Sequence, residues 1–141
     1  MNELLAKVAD FYLPFLLLVT LGVGTLEIMR GYRWFWVKLF ASAILVFSVM
    51  LLDFYLKLWA AVGLDYSTHT ALALALVIFV ATGLQSRLGW VCLVGSLLAY
   101  MELMFYLGYH SWADMGLTVV VIGAGIAILY RLLPKRKVAD A

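Results

Sequence analysis

Two histidines, His69 and His110, are the only ones in the chain, and they stand in the two stretches whose residue types could do chemistry. His69 lies in Asp65-Tyr66-Ser67-Thr68-His69-Thr70, and His110 in Tyr109-His110-Ser111-Trp112-Ala113-Asp114. Each precedes a long apolar run, and two apolar runs separate them. Two imidazoles and a carboxylate can move a proton, attack an electrophilic centre or hold a metal. Histidine suits the first two tasks because imidazole as a class changes charge near neutral pH.

The elements that must position these residues are set by composition. The chain has 141 residues, 67% of them hydrophobic, and a mean hydropathy of +1.07. That exceeds what a soluble domain of this length needs, and runs of about 15–20 apolar residues match the thickness of a bilayer core. The runs do not alternate, which excludes an outer-membrane barrel. The expectation is an all-α, polytopic membrane helix bundle forming one domain over residues 1–141. Its five spans fall at roughly 11–29, 36–60, 69–85, 88–108 and 112–133. Pro14 then falls in the first turn of the first span, where it is tolerated. The N-terminal stretch has Glu3, Lys7 and Asp10 but no basic start or small-residue cleavage site, so the first run is expected to stay in the protein. Cys92 is the single cysteine and makes no intrachain disulfide.

Charge orients the bundle. Arg30, Arg33 and Lys38 surround the first connection, Arg87 lies in the third, and Arg131, Lys135, Arg136 and Lys137 follow the last span. These positions share one side, which the positive-inside rule makes cytoplasmic. The N-terminus is then outside and the C-terminus inside, as in a bacterial inner membrane with a periplasmic outer face. Asp53, Lys57, Asp65, His69, Glu102, His110 and Asp114 all fall toward the outer half. Ionisable groups in or beside spans point to a functional site. The third and fifth spans both present helix N-termini to that face, and such ends suit a phosphate.

Ser67-Thr68-His69, opening a span, resembles the Ser-Gly-His element of the type 2 phosphatidic acid phosphatase superfamily. His110-Ser111-Trp112-Ala113-Asp114, opening a span two helices later, resembles its His-x-x-x-Asp element. His69-Thr70 and the spacing from His110 to Asp114 are also similar to the sphingomyelin synthase branch. The likeness runs over roughly residues 57–133. It implies a membrane lipid phosphatase or phosphotransferase that acts on a headgroup through a phosphohistidine. In that scheme His110 attacks phosphorus, Asp114 holds and polarises its ring, and His69 protonates the departing alcohol. Lys57, Ser67 and the N–H groups around Thr68 would hold phosphate oxygens, with Asp65 and Glu102 as further headgroup contacts. The scheme needs a membrane lipid as substrate, no cofactor, no metal and no nucleic acid. The family's Lys-x6-Arg-Pro element has only Lys57 to match it, since position 64 is Leu64. Leu103 and Met104 stand where the family has a Ser-Arg pair.

Other readings stay open. The outer half carries Glu3, Asp10, Asp53, Asp65, Glu102 and Asp114 against Lys7 and Lys57. That acidity suits a zinc hydrolase built from His69, His110 and Asp114 with Asp65 or Glu102. Two histidines at one depth also permit haem ligation, and the missing basic elements suit a noncatalytic lipid-binding subunit. Ser111-x-x-Asp114 is equally a helix capping box, and Asp53 and Lys57 have the spacing of an intrahelical ion pair. Tyr55, Trp59, Tyr66, Tyr106, Tyr109 and Trp112 read as an aromatic belt or as a cage for an amine. With so little mass outside the membrane, association with a second copy or a partner membrane protein is expected.

Overall fold

A computed structural model describes residues 2–32, 34–84 and 86–134. Arg33 and the Lys135-Arg136-Lys137 tail lie outside the described residues. The chain is an all-helical membrane bundle: α1 (Asn2–Met29), α2 (Trp34–Leu56), α3 (Thr68–Gly83), α4 (Arg87–Tyr106) and α5 (Trp112–Leu132), with one 3₁₀ turn at Ala60–Val62. Among the described residues four helices, all but α3, are long and apolar enough to cross a membrane.

Local sequence sets most helix ends. Ser67, Ser86 and Ser111 cap α3, α4 and α5, their hydroxyls accepting from the backbone N–H of Thr70, Gly89 and Asp114. A short side-chain oxygen satisfies an otherwise orphaned donor there. At the other ends, α1 and α4 close with Gly31 and Gly108 in the left-handed region. Tyr32 N–H reaches Glu27 O and Tyr109 N–H reaches Met104 O, which is the Schellman closure that glycine makes without strain.

Two boundaries differ from the sequence expectation. The first helix begins at Asn2, not near residue 11. Glu3, Leu4, Leu5, Ala6 and Lys7 are good helix formers, and Glu3 sits favourably in the first turn. Pro14 is therefore inside the helix rather than at its start. The 28-residue helix is about 42 Å long, against a hydrocarbon core of about 30 Å, so one end extends past the core. The second helix stops at Leu56, not near residue 60. Asp53 accepts the N–H of Trp59 at 2.8 Å, which folds the chain back into the 3₁₀ turn.

The third element is the hub. At 16 residues α3 is about 24 Å long, shorter than its neighbours. It packs against all four other helices, and ten of its residues are buried, including Ala71, Ala73, Ala75, Ala81 and Gly83. Lipid tails are as apolar as leucine, so helices associate in a bilayer through close packing of small residues and polar ties. A side chain at Gly83 would place its Cβ 2.5 Å from Val23 Cγ1 and 3.1 Å from Phe35 Cζ. Gly83→Ala is therefore expected to cost about 1–3 kcal/mol through overpacking. Gly22→Ala, with nothing within 4 Å of the added methyl, is expected to gain up to about 1 kcal/mol of helix propensity. Unfolding in detergent micelles separates the two.

Candidate functional site

The two short connections at the histidine end are sewn together by one carboxylate. Asp114 Oδ1 accepts the backbone N–H of Asp65 at 2.9 Å, and Oδ2 accepts that of Ser111 at 2.7 Å. Ser111 Oγ accepts the N–H of Asp114 in return, completing a capping box. One turn on, Thr118 Oγ1 donates to Asp114 O and accepts the N–H of Ser67. The start of α5 thus holds the strand of chain leading into α3, and His69 and His110 come to one end of the bundle.

Both histidines line a single cavity of about 520 Å³. Its other walls are Asp10, Leu13 and Pro14 from α1, Tyr100 and Met104 from α4, and Tyr109 beside His110. His110 is half-buried, and its Nδ1 is shut from solvent without a hydrogen-bond partner among the described residues. That leaves Nε2 as the nitrogen able to meet a ligand. His69 is exposed and occupies the first turn of α3. The N–H groups of Thr68 and His69 belong to the set that a helix start leaves without intrahelical acceptors.

Helix α1, read from the sequence as a plain span, supplies the cavity's acid. Asp10 and Pro14 lie one turn apart, and proline has no N–H, so the Asp10 carbonyl loses its ordinary helical donor. Tyr12 ties this helix to α4: its ring stacks on Tyr100 at 4.3 Å, and its hydroxyl lies 3.0 Å from Ser96 Oγ. Tyr100 is absent from the residues the sequence points to; Asp10 enters there only in the charge count, and Tyr109 only as a belt or amine-cage aromatic. The one available signal was Asp10 four residues before Pro14 in a helix.

The remaining sequence candidates are placed elsewhere. Ser67 is wholly buried, and its hydroxyl donates to Thr70 Oγ1 at 2.8 Å while capping α3. It is an internal cap rather than a phosphate contact. Thr68 opens α3 half-buried. Asp65 contributes its backbone N–H to Asp114, and its side chain is exposed. Glu102 is exposed and lines no part of the cavity. Lys57 also lies outside it, in the left-handed conformation with φ 53°, its Nζ 5.1 Å from the centre of the Phe54 ring. It closes α2, its N–H bonded to Asp53 O at 2.7 Å. The Asp53 carboxylate turns to Trp59 N–H, so the expected Asp53–Lys57 ion pair does not form. The bond by which Asp114 would hold the His110 ring is likewise not made, since Nδ1 has no partner.

Tyr66, between these connections, packs edge-on against Trp59 and donates to Val46 O at 3.2 Å. Burial pushes its hydroxyl up to about 12, with the Asp53 carboxylate adding to the effect, so it remains a donor. Among the described residues no three His, Cys, Asp or Glu side chains gather closely enough to hold a metal ion. The zinc set expected from His69, His110 and Asp114 is not assembled.

Asp114→Ala removes two hydrogen bonds to a charged acceptor, each worth about 1.5–3 kcal/mol. A large drop in unfolding midpoint is expected, with Asp114→Asn, which keeps one acceptor oxygen, falling between. Lys57→Gly is expected to hold or raise the midpoint, because glycine relieves a left-handed strain of about 1–2 kcal/mol. A loss of stability in that variant would mean that the lysine side chain matters more than its backbone. No family model, no curated protein and no solved structure matches this chain, so what the cavity can do is read from its own side chains.

Proposed function

We propose that this integral membrane protein acts on a phosphorylated lipid headgroup, hydrolysing it or passing it to an acceptor hydroxyl. The observation that carries this reading is the shared cavity: the chain's two histidines, 41 positions apart in sequence, line one space at one end of the bundle. His110 Nε2 attacks phosphorus as the bond to the departing alcohol oxygen breaks. His69, as imidazolium, gives that oxygen its proton. His69 in its neutral form then takes a proton from water or an acceptor hydroxyl, which attacks the phosphohistidine and frees His110. The N–H groups opening α3 supply partial positive charge for phosphate oxygens. On the positive-inside rule, Arg30, Arg87 and Arg131 mark the opposite end as cytoplasmic, and the cavity then faces the periplasm of a bacterial inner membrane.

One observation favours a second reading. The cavity wall includes Asp10 and, among the described residues, no lysine or arginine. Phosphoryl transfer relies on positive charge around the transferred group, whereas a noncatalytic site for an amine-bearing headgroup needs an acid and aromatic rings, here Asp10, Tyr100 and Tyr109.

Purified protein given a radiolabelled lipid phosphate separates the two. His110→Ala is expected to abolish phosphate release and the acid-labile phosphoprotein together. His69→Ala is expected to slow turnover by about 10²–10⁴-fold while the phosphoprotein still forms with a good leaving group. Full turnover in His110→Ala would sink the phosphohistidine scheme. Normal function in a His69→Ala, His110→Ala double variant, with loss in Asp10→Asn, would select the noncatalytic reading.

A further inference from the structure

A second cavity, of about 490 Å³, opens between α1, α2 and α3, and Leu13 and Pro14 line both it and the histidine cavity. We propose that it holds one acyl chain of the lipid whose headgroup sits at His69 and His110, an inference that rests on the headgroup reading above. Each of two helices carries one stripe that changes character along its length. On α1 the stripe runs from Asp10 through Leu13 and Pro14 to Leu17; on α3 it runs from His69 through Leu72 to Leu76. The spacings of three, four and seven residues put each set on one helix face. Ionisable side chains stand at the histidine end, and only apolar ones follow.

The opposite wall is Leu39, Phe40 and Ala43 of α2. Ser42 is the one polar residue of the lining, and its hydroxyl is occupied, donating to Lys38 O at 2.8 Å and lying 3.2 Å from Tyr130 Oη. Nothing in this space asks for a polar ligand. Its size falls within the range of about 300–1,000 Å³ typical of ligand pockets. The two cavities meet at a common wall of Leu13 and Pro14, one with ionisable side chains and the other apolar, which matches the head and tail of a lipid. A third cavity between α3, α4 and α5, about 450 Å³ and lined by Leu74, Trp90, Met101 and Val119 among others, is equally apolar. It has no residue in common with the histidine cavity, so a chain lying there would not belong to a lipid bound at the histidines.

The test uses the full chain in phosphatidylcholine vesicles and a phosphatidic acid with a diazirine midway along one acyl chain. Irradiation is expected to label the segments around Leu17, Phe40 and Leu76. Ala43→Trp, which fills the space from α2, should cut that labelling roughly tenfold or more by expelling several methylenes, and Val119→Trp should leave it intact. Equal labelling around Trp90 and Met101, or labelling that survives both Ala43→Trp and Leu76→Trp, overturns the proposal. If the tryptophan variants do not fold, the wild-type label map decides alone. The two readings fail separately. Labelling at the α1–α2–α3 space without phosphate release upholds the chain site and removes phosphoryl transfer. Phosphate release without such labelling removes the chain site and leaves the chemistry.

Discussion

Everything at the histidine end depends on the Asp114 carboxylate and the two backbone N–H groups it accepts. One comes from Ser111, three residues away, and is local capping; the other comes from Asp65, 49 residues away, and is tertiary. A hydrogen bond to a charged acceptor is stronger than a neutral one, and more so where water is scarce. The bond fixes the entry to α3 against the start of α5, and each histidine is attached to one of the two joined segments. Below it, Asp114, Thr118, Ile122 and Ile126 form a buried row at four-residue spacing along α5. The row is polar at the top, where it must hold loops, and apolar beneath, where it packs.

The opposite end is held by different chemistry with the same logic. Lys38 is largely buried, and its ammonium lies 5.3 Å from the centre of the Tyr32 ring and 5.2 Å from that of Tyr130. Tyr32 also donates to Pro134 O at 2.9 Å, linking the first connection to the end of α5. Arg30 pairs with the buried Glu27 at 2.8 Å. A lysine read as an orientation signal is therefore also a clamp, since a cation removed from water gains most from aromatic faces. Close contact adds to these ties at the same end, where Phe35 meets Phe79 at 4.0 Å between ring centres.

Helix number and the Ser111 start of α5 are legible in the sequence, because apolar length and capping chemistry are local properties. The common end of His69 and His110 follows from counting spans. The role of α3 is not legible. In a membrane both the lipid-facing and the protein-facing sides of a helix are apolar, so periodicity does not separate them. The Ser111-x-x-Asp114 pattern announces a capping box, yet nothing local announces that the same carboxylate also takes Asp65 N–H. Lys57 misleads for a related reason: its charge suggests a ligand, whereas the chain needs a left-handed residue there to turn after α2. Asp10 is missed because it belongs to a helix turn that precedes the hydropathy peak.

That last displacement changes what the site is. An acid in a tail outside the membrane is unremarkable, but an acid one turn before Pro14 in a docked helix forms part of a wall. The stacking of Tyr12 on Tyr100 carries α1 against α4, and through Pro14 the same helix face borders both the histidine cavity and the apolar space beneath it. The site is therefore composite: α3 and the loop before α5 bring the histidines, and α1 brings the acid and closes the side. A change that loosens α1 alone would leave the Asp114 ties and the two histidines in place while opening the space between them. The placement of the histidines and the enclosure around them are separable in this fold because different helices supply them.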